Sequence, residues 1–222
     1  MKIFSILVLV FLMVACKKTP DPVFGYDYFP MKEGQYVSYN VLFVKHDAEL
    51  DPQHDTTRYV LKTRVGELFE DNEGRMAHKF YRERYNFDTG DLIDKRVWTR
   101  IIDGGRGEVV EENQRKIRLV FAPTLDKIWD VNAFNTEKEE NVYYSAIHTE
   151  KKIMNYTFDS TLTVQYDSLL SLIDYVNKYE VYAKGVGLVK RNFKNLEIQN
   201  FDTTAIQKGE ELHYELIEYG VN

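Results

Sequence analysis

The sequence predicts a mainly β protein, an antiparallel curved sheet that closes partly into a barrel or packs as a sandwich, with one short helix. Apolar and polar residues alternate in short runs, as in YVSYNVLFVK, where Val37, Tyr39, Val41 and Phe43 share one side of an extended strand. Turn-forming clusters such as EDNEG and DTGD separate these runs and bring successive strands back antiparallel. The chain is also rich in strand-favouring aromatics, with 16 tyrosines, 13 phenylalanines and 2 tryptophans.

Taken in order, the elements follow from this pattern. After the strand near residue 36, residues 57–65 and 75–85 flank the acidic, glycine-ended tip EDNEG. Residues 92–102 form the next strand, with Ile93, Val97 and Ile101 alternating with Arg96, Trp98 and Arg100. DGGRG makes a turn before a strand at RKIRLVF. Residues 122–141 break the rhythm and read as an ordered loop docked by Leu125, Ile128 and Trp129. Strands resume at VYYSAIHTE and TLTVQYD. Ser168 is then placed to cap a helix reaching Asn177, because Leu169, Leu170, Ile173 and Tyr175 lie near helical spacing. KYEVYAKGVGLVKRNFKNLEIQ and GEELHYELIEYG close the chain, the latter a half-buried strand. The total is about nine or ten strands.

The N-terminus predicts an address. Lys2 is followed by an apolar run from Ile3 to Ala15 relieved only by Ser5, the layout of a secretory signal. As a helix the run would reach only ~20 Å, short of a bilayer's ~30 Å hydrocarbon core. Met13-Val14-Ala15-Cys16 resembles the bacterial lipobox, which implies cleavage before Cys16 and acylation of that residue. Cys16 is the only cysteine in 222 residues, and it directly follows the signal, so lipidation is the reading preferred over a buried thiol or a nucleophile. Several acyl chains on one residue would hold firmly, since each buried methylene contributes ~0.8 kcal/mol. Residues 1–15 are thus a lipoprotein signal peptide, 16–35 a lipidated tether, and 36–222 a single β-rich domain.

The formal charge of −6 disfavours nucleic acid as a partner, because phosphate backbones repel an acidic chain. The chain lacks HExxH, GxSxG, phosphate-loop and EF-hand patterns, and a lone cysteine cannot make CxxC. No cofactor is expected, and the expected role is non-catalytic. KHDAELDPQHD offers His46, Asp47, Asp51 and His54 as candidate metal ligands, but their spacing matches no ligand frame and a solvated hairpin loop is preferred. Trp129, in an irregular segment, is the candidate ligand-binding aromatic, able to stack on a sugar or line an apolar cleft.

The order YFPMKEGQYVSYNV, KIWDVNAFN, KYEVYAKGVGLVKRNFKNLEIQ and a closing aromatic YG resembles a group of small outer-membrane lipoproteins of Bacteroidota without an assigned activity. The pattern also resembles, more loosely, the unclosed barrels of lipoprotein-localisation factors. The expectation is therefore a lipid-anchored envelope protein that serves as a binding or accessory module, with an envelope protein or an apolar or glycan ligand as partner. A carrier or sensor of lipid in a half-open barrel and a hydrolase with an unrecognised carboxylate pair are the two alternatives. Lys17 and Lys18 after the cysteine, in place of early acidic residues, point by resemblance to the outer membrane and its periplasmic side.

Overall fold

The computed structural model describes residues 24–222. Cys16, the signal and the first part of the tether lie outside the described residues.

Twelve strands are present among the described residues: β1 (Gln35–Asp47), β2 (His54–Glu70), β3 (Met76–Asn86), β4 (Leu92–Asp103), β5 (Arg106–Glu111), β6 (Gln114–Val120), β7 (Ile128–Asp130), β8 (Asn141–Ile153), β9 (Tyr156–Leu170), β10 (Asp174–Ala183), β11 (Gly187–Gln199) and β12 (Asp202–Val221). They form one antiparallel sheet in the order β6-β5-β4-β3-β2-β1-β12-β11-β10-β9-β8-β7. The chain walks outward from β1 to β6, crosses through residues 121–127, and returns from β7 to β12. First and last strands therefore pair at the middle of the sheet, with Val41 opposite Tyr214 and Gln35 opposite Val221. The sheet curls until β6 approaches β7 and β8, giving a barrel nearly closed.

Side chains and single backbone contacts bridge that last gap. The Ile117 N–H donates to the Val131 carbonyl at 3.0 Å, and the Trp129 indole N–H donates to the Ile117 carbonyl at 3.1 Å. Tyr144 reaches across to Val120, and Asn135 donates to the Arg115 carbonyl at 2.8 Å. An edge strand with unpaired backbone groups invites association with another chain, and these contacts cover it.

The alternation read from the sequence holds where packing is densest. Val37, Tyr39 and Val41 are buried in one core cluster with Leu61, Val181 and Leu216, while Phe43 is half-buried. A second cluster gathers Leu119, Trp129, Tyr144, Leu162 and Val164 near the seam. Burial of each such side chain contributes ~1.5–3 kcal/mol.

Packed chain begins upstream of Tyr36, where the sequence places the start of the domain. A 3-10 turn at Tyr26–Tyr28 brings Tyr28 and Phe29 into the core at one end of the barrel. The Tyr28 hydroxyl lies 2.5 Å from Ser160 Oγ and 2.8 Å from His148 Nδ1. The Gly185 N–H bonds to the Asp27 carbonyl at 2.8 Å, so this segment straps the β10–β11 turn.

Three local expectations change. The helix expected over 168–177 is absent: β9 continues to Leu170 and β10 begins at Asp174, with Leu170 opposite Tyr175. Ser171 organises the hairpin tip instead, its Oγ accepting from the Asp174 N–H at 2.8 Å, so a residue type suited to helix caps serves a turn. The apolar residues that suggested helical spacing share no buried face, since Leu169, Leu170 and Ile173 are exposed and Tyr175 is only half-buried. Of the three residues expected to dock the 122–141 segment, Trp129 is buried, with Val131 beside it in the core; Leu125 and Ile128 are exposed, and the segment contains the short strand β7. β5 was hidden in the sequence between DGGRG and RKIRLVF, where the tight turn at Glu112 and Asn113, both with positive φ, adds a hairpin.

A chamber inside the barrel

The row of residues that runs across the barrel wall at one level is chemically unlike the rest of the core. Strand register sets Glu180 on β10 opposite Arg191 on β11, and Arg191 opposite Tyr214 on β12. All three project inward because the neighbouring inward positions, Tyr182 and Val41, are core residues on the same pleat. From the other half of the sheet, Arg82 on β3, Trp98 and Arg100 on β4, Glu111 on β5 and Arg118 on β6 face the same space.

All of these but Glu180, which lies behind Arg191, line a cavity with about 70 Å³ open to water-sized molecules, capped by Phe29 and Pro30. That is room for roughly two waters. The remaining wall is apolar, with Val37, Leu61, Val65, Val109 and Leu188.

Charge is unevenly matched here. Glu180 is fully buried; its Oε1 accepts from Arg191 Nε at 2.7 Å, and its Oε2 accepts from the hydroxyls of Tyr182 at 2.6 Å and Tyr166 at 2.9 Å. Burial alone would raise its carboxyl, but Arg191 and Arg118 outweigh burial and hold it down at about 2. Arg118 pairs with Glu111 and also donates to the Tyr166 hydroxyl at 3.2 Å. Two carboxylates thus answer two guanidinium groups.

Arg82 and Arg100 have no carboxylate partner. Arg82 lies over the Trp98 ring at 3.8 Å and donates to the Tyr214 hydroxyl at 3.2 Å. Burial raises the Tyr214 phenol, but Arg191 and Arg82 overcome it and set the phenol below its ordinary value. Arg100 has less. Phe29 covers its guanidinium at 3.7 Å and Phe80 stands at 5.1 Å, while its Nε and Nη2 are buried with no hydrogen-bond partner. Aromatic rings solvate the face of a guanidinium and leave its in-plane donors unmet. Burial pushes Arg100 down to about 10.

The residues singled out from the sequence lie elsewhere. Trp129 is buried in the seam, 4.8 Å from the Tyr144 ring between centroids, and does not line the chamber. His46 and His54 do meet, opposite one another on β1 and β2 with Nδ1 atoms 2.9 Å apart. His46 Nε2 lies 3.1 Å from Glu211 Oε1, and Glu211 is held in turn by Lys194 and His213. Asp47 instead accepts from the Glu49 N–H at 3.1 Å, and Asp51 sits exposed in the β1–β2 turn. Among the described residues, no group of three or more His, Cys, Asp or Glu side chains is arranged to hold a metal ion. Cys16 lies outside the described residues.

The chamber residues were overlooked because inward arginines break the polar-out rule. A faint signal existed: Arg82 is in phase with Phe80, and Arg100 with Trp98, at strand period two.

Fold and site together define an up-and-down β-barrel with a strap over one end and a basic, enclosed interior. Among solved structures it is similar to a protein of Bacteroides fragilis described as exported and of YmcC-like fold, with a TM-score of 0.49 at 12% identity over 86% of this chain and 97% of that one. A protein of Parabacteroides distasonis described as a lipoprotein gives a TM-score of 0.38 at 15% identity, over 89% of this chain and 100% of that one. No family model matches the chain, and no curated protein matches it in sequence. Among the described residues, no helix is long and apolar enough to cross a membrane.

Proposed function

We propose that this chain is a lipid-anchored, non-catalytic binding protein of the bacterial cell envelope, attached through Cys16 to the outer membrane on its periplasmic side and holding a small ligand inside its barrel. The single observation that carries the binding role is the chamber: a mainly apolar cavity with charged side chains in its wall, kept open within an otherwise packed core, where one buried cation has donors that are unmet. The lipobox resemblance supports the anchor.

Size weighs against a carrier of long acyl chains. An engineered cavity of ~150 Å³ accepts one benzene, and this chamber is about half as large.

The anchor and the ligand are tested separately. In cells fed labelled palmitate, the full chain should take up label and sediment with outer membranes, while Cys16→Ser should do neither. Native mass spectrometry of the detergent-released lipoprotein should show a small bound species that is lost when Val65→Phe fills the chamber. Label on the Cys16→Ser protein would overturn the anchor. A ligand retained by Val65→Phe would overturn the chamber as its site.

A further inference from the structure

We infer that the chamber binds a small carboxylate, a monoanion with a short apolar tail, with Arg100 as its principal partner and Arg82 beside it. The inference rests on the binding role proposed above and names the ligand's class.

Three observations converge on it. The charged side chains that meet at the chamber are Arg82, Arg100, Arg118 and Arg191 against Glu111 and Glu180, so cations outnumber anions. Burying a charge without a counterion is costly, and a protein tolerates it where something supplies the missing charge. The shortfall is local to one residue: Arg118 and Arg191 are paired, Arg82 has the Tyr214 hydroxyl, and Arg100 has only ring faces. A carboxylate meets a guanidinium through two parallel N–H···O bonds in its plane, which are the bonds Arg100 lacks.

The wall selects among anions. Phosphate and sulfate present oxygens on every side and need donors all round, but many donors near Arg100 are engaged. The Tyr39 hydroxyl donates to the Leu188 carbonyl at 2.7 Å, the Tyr182 hydroxyl to Glu180, and the Thr63 hydroxyl to the Val37 carbonyl at 3.1 Å. Opposite the arginines stand valines and leucines, which suit the tail of an aliphatic acid. The 70 Å³ of open space limits that tail to one or two carbons.

The test is thermal denaturation and calorimetric titration of the full chain with acetate, propionate and butyrate, alongside acetamide and butyramide, inorganic phosphate and sulfate. Carboxylates should raise the melting temperature in a saturable manner, acetate or propionate more than butyrate, and the neutral amides should not. Arg100→Gln should remove the shift, and Val65→Phe should remove it independently. Carboxyl-labelled ¹³C propionate should show a bound-state shift with the parent and none with Arg100→Gln. Amides acting as strongly as acids would overturn the anion assignment while leaving a binding chamber. Phosphate or sulfate acting in place of carboxylates would overturn the carboxylate assignment. If no probe binds and native mass spectrometry finds the chamber empty in protein from its own membrane, the binding role falls as well.

Discussion

The Tyr144 hydroxyl serves Val120 as a strand partner would, accepting from its N–H at 3.0 Å and donating to its carbonyl at 2.8 Å. One side chain thereby satisfies both backbone groups of a residue on the open edge of β6, at a point where β7 is only three residues long and cannot pair with it. Burial raises the phenol's pKa, which keeps it a donor at neutral pH. Tyr144→Phe keeps the ring against Trp129 but leaves the Val120 groups unmet. It should cost ~1–3 kcal/mol in chemical denaturation. Hydrogen exchange should show faster exchange at Val120 and Ile117, and unchanged protection at Val41 in the middle of the sheet.

Acid should weaken the barrel through Glu180. An unfolded glutamate titrates near ~4.3, and the folded one sits at about 2 because Arg191 and Arg118 overcome burial. A lowered folded value means that the group's contribution is present above the unfolded value and lost as pH falls through the folded one. Stability measured by urea titration should therefore decline from about pH 5 toward about pH 2. Glu180→Gln should flatten part of that slope and, by leaving Arg191 buried and unpaired, cost ~3–5 kcal/mol near neutrality. An unchanged slope would show that the pair does not govern acid stability.

How much of this was legible in the sequence differs between wall and interior. Alternation along Val37, Tyr39 and Val41 and the turn clusters specify an antiparallel, curled sheet, because period-two burial and short connections are local properties. Pairing partners are not local. Nothing within 168–177 reveals that Leu170 will face Tyr175 across a hairpin, so a cap-like serine and a few leucines imitate a helix. The chamber was harder still, since an arginine that lies on Phe29 or Trp98 buries its plane while looking, as a letter, like surface. Trp129 and His46 stood out by residue type. Register then put the first in the seam and joined the second to Glu211.

Trp98 and Trp129 make the chamber and the seam separately observable. Trp98 lines the chamber under Arg82, while Trp129 is sealed against Tyr144 and Ile117. A ligand entering the chamber should change tryptophan emission through Trp98. The change should persist in Trp129→Phe and vanish in Trp98→Phe. The reverse pattern would move the ligand to the seam.

Arg100 and Arg191 are both buried guanidinium groups, yet their removal should have opposite signs. Arg191 is bonded to Glu180, and these neighbours raise its pKa despite burial. Arg100 has no carboxylate, and burial lowers its pKa to about 10, so its charged form is held at a cost to folding. Arg191→Met should destabilise the free protein by ~3–5 kcal/mol, because it strands a buried carboxylate. Arg100→Met fills similar volume without charge and, after losing a ring contact of ~0.5–2 kcal/mol, should leave the free protein as stable as the parent or more so. Urea denaturation of the two variants, each without added ligand, measures the difference. A stabilising loss at Arg100 fits the exchange of stability for function at a binding residue. A cost at Arg100 equal to that at Arg191 would mean the guanidinium is structural.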